Sequence, residues 1–397
     1  MQRSSSKLLP AALLIWFVAA LAGCTTPYSE PVFDARPPGQ TDFAGLARLV
    51  ETSPDKTLDV VLVHGMCTHT EKWAKGAISQ LNDILGGQPA PTLSKEDVSD
   101  SQAVIYRSRL AVAGGTVRAT AILWAPILAP LKSQLCYDQT NKSEVCVAAG
   151  QDQPAYPYQR ATVNRMLKDS LLDDCLADAI IYQGQAKNSI IDQMQLALLA
   201  AVAPGVSAAN KLAVQRAAAA QQLNLVLITS SLGSKIAFDA LSKMIQQGDE
   251  DAKAAGMRTL DRVAQIFMHA NQLPILALAD QDLAGKSAFG AEKSRAPADS
   301  LDELLNLKGP RFSAKSGKPC PLVVAFNDPS DLLSYVLAPA RRPGNYAVVD
   351  VLVSNAPTYL GWLERPDRAH IGYPDNKQVQ ALMVQGHSNP GSDPCGL

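Results

Sequence analysis

Two serines stand at a change of pattern. Leu223 to Ile228 is a short apolar run suited to a buried strand, and Ile236, Ala237, Ala240 and Leu241 follow with helical spacing. Between them lies Thr229-Ser230-Ser231-Leu232-Gly233-Ser234. A serine at a sharp strand-to-helix turn has an exposed hydroxyl with backbone N–H groups beside it, which is what a nucleophile needs. Small residues two positions either side let strand and helix pass closely, and around Ser231 these are Thr229 and Gly233. Ser231 is therefore preferred to Ser230, although Thr stands where Gly is the usual leading residue.

A serine hydroxyl alone is a weak nucleophile and needs a base, usually His, with an acid to orient it. The chain has five histidines: His64, His69, His269, His370 and His387. His370, in Asp367-Arg368-Ala369-His370-Ile371-Gly372-Tyr373, lies between an apolar strand at 346–352 and a closing helical pattern at 377–384. His387 falls beyond that helix and reads as exposed tail. His269 ends the strand after the serine turn and could line a pocket. Asp328 and Asp331 follow the strand Leu322 to Phe326 and are candidates for the acid, Asp328 also being a natural turn residue ahead of Pro329. Charge developing on an attacked carbonyl needs two N–H donors. Leu232 offers one. Met66 offers the other, in His64-Gly65-Met66 at the end of the strand Leu58 to Val63, with Gly65 permitting a tight turn and His64 structural.

The elements that must position these groups alternate. Further strands are expected at 103–106, 117–124 and 262–268, with a helix over 73–85. Such alternation predicts an α/β fold with a mostly parallel central sheet and helices on both faces. Residues 126–222 form a block apart, read as a helical insertion or cap: Met166, Leu167, Leu171, Leu172 and Cys175 share one helical stripe, and Ile190, Ile191, Met194 and Leu198 another. It could be a lid or ordinary cover for a sheet face. Asp178 reads as a helix-surface residue, and Trp124 and Trp73 as core or pocket lining. Residues 283–317 look irregular.

The amino terminus bears on compartment. Arg3 and Lys7 precede the apolar run Leu8 to Ala20, a secretory signal too short for a lasting membrane span. It ends in Leu21-Ala22-Gly23-Cys24, which resembles the lipobox of bacterial lipoproteins, where the Cys is diacylated. Thr25 at the next position implies, by the same resemblance, the outer membrane, facing the periplasm. The net charge of −1 and the lack of a basic block give no sign of a nucleic-acid partner. Six cysteines remain besides Cys24; in an oxidising compartment they could pair, Cys136 with Cys146 first and Cys320 with Cys395 second, and their spacing suggests no metal site.

His-Gly after a strand, the serine turn, the aspartate turn and the late histidine together resemble the α/β-hydrolase superfamily on its lipase and serine-esterase side. The resemblance spans 57–387, with 126–222 as insertion, 1–23 as signal peptide, 24–56 as lipidated tether and lead-in, and 388–397 as tail. It implies the chain order Ser, acid, His, hence a triad of Ser231, Asp331 (just before the apolar pair Leu332-Leu333) and His370. It also implies ester hydrolysis through an acyl-enzyme, an ester or lipid substrate, a membrane partner through the anchor, and no cofactor. Alternatives are a thioesterase or peptidase with the same triad, or a non-catalytic envelope scaffold.

Overall fold

Nine strands form one sheet, the central ones apolar, β-branched runs bounded by turn residues. In chain order they are β1 (Val32–Arg36), β2 (Thr57–Val63), β3 (Ser94–Asp97), β4 (Val104–Val112), β5 (Gly115–Leu123), β6 (Leu225–Ser230), β7 (Val263–His269), β8 (Leu322–Asn327) and β9 (Ala347–Leu352). The computed structural model describes residues 24–36, 38–151, 156–281, 298–308, 322–340 and 346–388. Across the sheet the order is β1-β9-β8-β7-β6-β2-β5-β4-β3.

The sheet is mixed, not mostly parallel. The run from β9 to β5 is parallel throughout. Both edges reverse: β1 is antiparallel to β9, β4 to β5, and β3 to β4. The cause is connection length. Val112 pairs with Gly115 across a two-residue turn, which can only join antiparallel strands, and Gly114 supplies positive φ there. The stretch 24–56, expected as tether and lead-in, supplies the edge strand β1 and the helix α1 (Leu46–Thr52).

Each central strand is buried on both faces, so it reads as a continuous apolar run instead of alternating. Leu58, Val60 and Leu62 of β2 join a cluster with α1, α2 (Glu71–Ile84) and residues Val379 and Met383 of the closing helix. Val61 and Val63 point the other way, into a larger cluster. That face is covered by α3 (Ala177–Gln183), α4 (Lys187–Val202), α5 (Lys211–Ala220), α6 (Leu232–Gln247) and α7 (Glu250–Arg262). The second half of the expected insertion is therefore ordinary cover for a sheet face. Within the stretch expected to be irregular, Ser300–Lys308 is helical, its first turn capped by the Asp299 carboxylate accepting from Leu301 and Asp302 N–H at 3.1 Å.

The end of the sheet away from Ser231 carries a buried charge cluster. Asp59 accepts two hydrogen bonds from Arg118, at 2.6 and 2.7 Å, and another from Arg262, which also donates to the Leu223 carbonyl at 2.7 Å. Asp59 and Arg262 are both buried. Removing the carboxylate strands two guanidinium groups. Asp59→Ala should cost about 3–5 kcal/mol in urea unfolding, the usual penalty for breaking a buried pair, without altering the chemistry at Ser231.

Candidate functional site

Strand β6 runs into Ser231, which sits at φ 51°, ψ −132° before the helix Leu232–Gln247 (α6) begins. A non-glycine residue there costs about 1–3 kcal/mol and persists only where its surroundings enforce it. The enforcement is visible. Ser231 N–H donates to the His269 carbonyl at 2.8 Å, and Ser234 N–H to the Ser231 carbonyl at 3.1 Å. A Cβ on Gly233 would lie 1.9 Å from the His64 carbonyl oxygen, so only glycine lets α6 start against that loop. Thr229 is fully buried and its hydroxyl is bonded to Ser234 Oγ at 2.8 Å, which accommodates the unusual leading residue.

Gly65 is needed for a different reason from the one expected. Its φ is not positive; instead a Cβ there would lie 2.8 Å from Ser231 Cβ. The glycine makes room for Ser231. Leu232, as the first residue of α6, has an N–H outside the helix's own ladder. Met66 follows Gly65 and is buried.

Asp331 and His370 come together although 39 residues apart. His370 Nδ1 is 2.9 and 3.0 Å from the two Asp331 oxygens. Asp331 also accepts from Leu333 N–H at 3.0 Å and from the Tyr373 hydroxyl at 3.0 Å. Asp328 is the turn residue of the pair. Its carboxylate accepts from Ser330 and Asn355 N–H at 2.8 and 2.6 Å, tying the turn after β8 to the loop after β9. Asp328 N–H in turn donates to Tyr373 Oη at 2.8 Å, so one tyrosine braces both aspartates. Burial raises the Asp328 carboxyl, and burial together with the nearby Asp328 charge pushes Glu364 up to about 7. Ser231 Oγ is buried and makes no hydrogen bond; its link to His370 is not made in this conformation.

Around Gly65 the aromatic packing is dense. His64 Nδ1–H donates to the Gly65 carbonyl at 2.7 Å, and Nε2 accepts from Trp124 and Ala125 N–H at 3.0 and 3.2 Å. Trp124 Nε1–H returns a bond to the His64 carbonyl at 2.8 Å. Burial first, and then His69, hold His64 well below its usual pKa, so it stays neutral and structural. Trp124 is core; Trp73 stacks edge-on against His64 at 4.9 Å.

The rest of this loop is clamped to the insertion. Cys67 is disulfide-bonded to Cys175 and donates its N–H to Asp178 at 2.8 Å. Thr68 bonds Asp174, and the buried Lys132 ammonium lies 2.7 Å from Asp174 and 3.0 Å from Asp178. Asp178 is fully buried and pushed up to about 6 by burial, which overturns its assignment to the helix surface. The predicted apolar stripe is inverted too. Met166, Leu167, Leu171 and Leu172 are exposed, while Asp169, Asp173 and Asp178 face inward. Winding is π-helical over Leu167–Leu176, and Ala177–Gln183 continues the helix. An Asp-x-x-x-Asp pair around a cysteine was the missed signal. Cys136–Cys146 is bonded as expected; Cys320 and Cys395 lie outside the described residues. Replacing Cys67 and Cys175 by Ser should cost about 2–5 kcal/mol in urea unfolding, the loop closed being long.

Ser230 points away from Ser231. With the His269 ring it lines a cavity of about 70 Å³ whose other walls include Trp73, Ile84 and Met383. His269 is buried, stacked on Tyr373 at 5.9 Å, and Nε2 has no partner. Burial lowers its pKa from 6.5 to about 4. His387, expected to be exposed tail, is half-buried, stacked on Phe33 at 4.0 Å and paired with Phe43. Because the unfolded chain binds the His269 proton first, stability is full above about pH 6.5 and falls toward pH 4. The pKa gap corresponds to roughly 3 kcal/mol. Urea titrations at pH 7 and 4 should show a smaller loss for His269→Phe than for the wild type.

Among the described residues no helix is long and apolar enough to cross a membrane. No family model, curated protein or solved structure matches the chain.

Proposed function

We propose that this chain is a serine hydrolase of the α/β-hydrolase type, cleaving carboxylic esters of acyl chains and held to the outer membrane by lipid on Cys24. The observation that carries the reading is the Asp331–His370 pair, 2.9 Å apart, in a chain whose strained serine turn is packed on Gly65. With Nδ1–H committed to Asp331, Nε2 is the nitrogen left to accept the Ser231 proton as Oγ attacks the ester carbonyl. Met66 and Leu232 N–H groups would take the oxyanion. Collapse breaks the bond to the alkoxide, which leaves with the His370 proton. Water, deprotonated by the same nitrogen, then attacks the acyl-enzyme; the acid departs and Oγ regains its proton. The Ser231–His370 bond must close when substrate enters, since such bonds are often long in free enzymes.

The open Ser231 hydroxyl equally suits the second reading, a scaffold that inherited the fold without the chemistry. A serine-directed phosphonate separates the two: covalent attachment at Ser231 supports the hydrolase, and none on folded protein supports the scaffold. Hydrolysis of p-nitrophenyl esters from acetate to palmitate should fall about 10³-fold or more in Ser231→Ala, as in triad knockouts. Wild-type activity no higher than the mutant's on every chain length would reject the esterase.

A further inference from the structure

The first described residues do not hang free. Cys24 and Thr25 pair with Tyr359 and Thr358, and Thr25 Oγ1 bonds Thr358 Oγ1 at 2.7 Å. Their partner is one arm of a tight hairpin. Trp362 N–H donates to the Tyr359 carbonyl at 3.0 Å, and Tyr359 N–H to the Leu363 carbonyl at 2.8 Å. The two tip residues, Leu360 and Gly361, are both at positive φ, 55° and 70°. Such tips ordinarily carry Asn, Asp or Gly, because a left-handed L-residue costs about 1–2 kcal/mol. Here a leucine occupies the strained position and is 66% exposed. Beside it Trp362 is 93% exposed, with Leu363 at 61% and Tyr359 at 50%. Four large apolar or aromatic side chains are thus exposed on the five-residue hairpin Tyr359–Leu363.

What covers them is argued by the chain that precedes Cys24. Twenty-three residues lie outside the described part and include the apolar run Leu8 to Ala20. Whether that segment stays or is exchanged for lipid on Cys24, its membrane attachment enters the fold on the strand paired with this hairpin. Trp and Tyr favour the interfacial zone of a bilayer, and exposed leucines its acyl boundary. The hairpin leads through Glu364, bonded to Ala356 N–H at 3.1 Å, into the helix Pro366–Ile371 that carries His370. We infer that the Tyr359–Leu363 hairpin is a second, non-covalent membrane foot, which seats the mouth of the Ser231 site on a lipid surface. This rests on the anchored reading and narrows the substrate class to esters presented from a bilayer.

The test uses the full chain with Cys24→Ser, so that no acyl group contributes, and vesicles of phosphatidylethanolamine and phosphatidylglycerol with and without brominated acyl chains. Trp362 fluorescence is taken as the difference from Trp362→Phe, which removes the signal of Trp16, Trp73 and Trp124. The expected result is a water-like emission without vesicles that shifts to the blue on vesicles and is quenched by the bromines. Emission that stays water-like on bound vesicles overturns the inference. So does emission already blue without lipid, which would mean a second copy if it depends on concentration, or the chain's own leader if it does not. Leu360→Ser/Trp362→Ser should lower hydrolysis of a vesicle-borne ester tenfold or more and leave a soluble acetate ester unchanged; an equal effect on both also overturns it. Quenching of Trp362 in a protein that cleaves no ester would sink the hydrolase and keep the foot.

Discussion

The close approach of three backbone segments at Gly65, Ser231 and Gly233 is the constraint on which the rest of the site depends. Ser231 occupies a conformation that an L-residue resists, and it stays there because its N–H is taken by the strand beside it and because two neighbouring positions lack a Cβ. A methyl group at either glycine would collide with backbone or with Ser231 itself. The packing of β2, β6 and α6 is fixed to a fraction of an ångström by those collisions. The aromatic stack of His64, Trp73 and Trp124 then has one place to sit, and the loop bearing Met66 inherits its position from it.

The central strands were legible because burial on both faces leaves short, unbroken apolar runs, and the serine turn was legible because strand, small residues and helix come in a fixed order. The turns offered Asp328, Asp331 and His370 as candidates, the family resemblance chose Asp331 and His370 among them, and these two meet in space. What escaped was of another kind. β1 and β3 are edge strands, partly exposed and poor in the apolar signal that marks the others. The inward face of the roof helix is made of aspartates, so a rule that turns apolar residues inward gave it the wrong face. Nothing local in the sequence announces that Lys132 will neutralise Asp174 and Asp178. Tyr373 was visible as a neighbour of His370, but its bridging of two aspartates depends on a loop some forty residues earlier.

The two ends of the sheet divide the electrostatics between them. At one end Asp59 and its arginines form a closed cluster that holds strands and the α7 segment (Glu250–Arg262) together. At the other, ionisable groups are raised or lowered by burial and bound to loops: Asp328, Glu364, Asp178, His64. The charges around Asp59 and those around Ser231 are thus separate sets, and a change in one need not disturb the other.

The bond between Cys67 and Cys175 gives the assembly of this site an address. In reducing surroundings these two thiols remain open. The loop bearing Met66 is then held to the helix above it by the Cys67–Asp178 and Thr68–Asp174 hydrogen bonds and by Lys132, which lies between the two acids. Oxidation closes the loop onto that helix covalently. A chain built this way completes the loop after β2 only where its thiols can be oxidised.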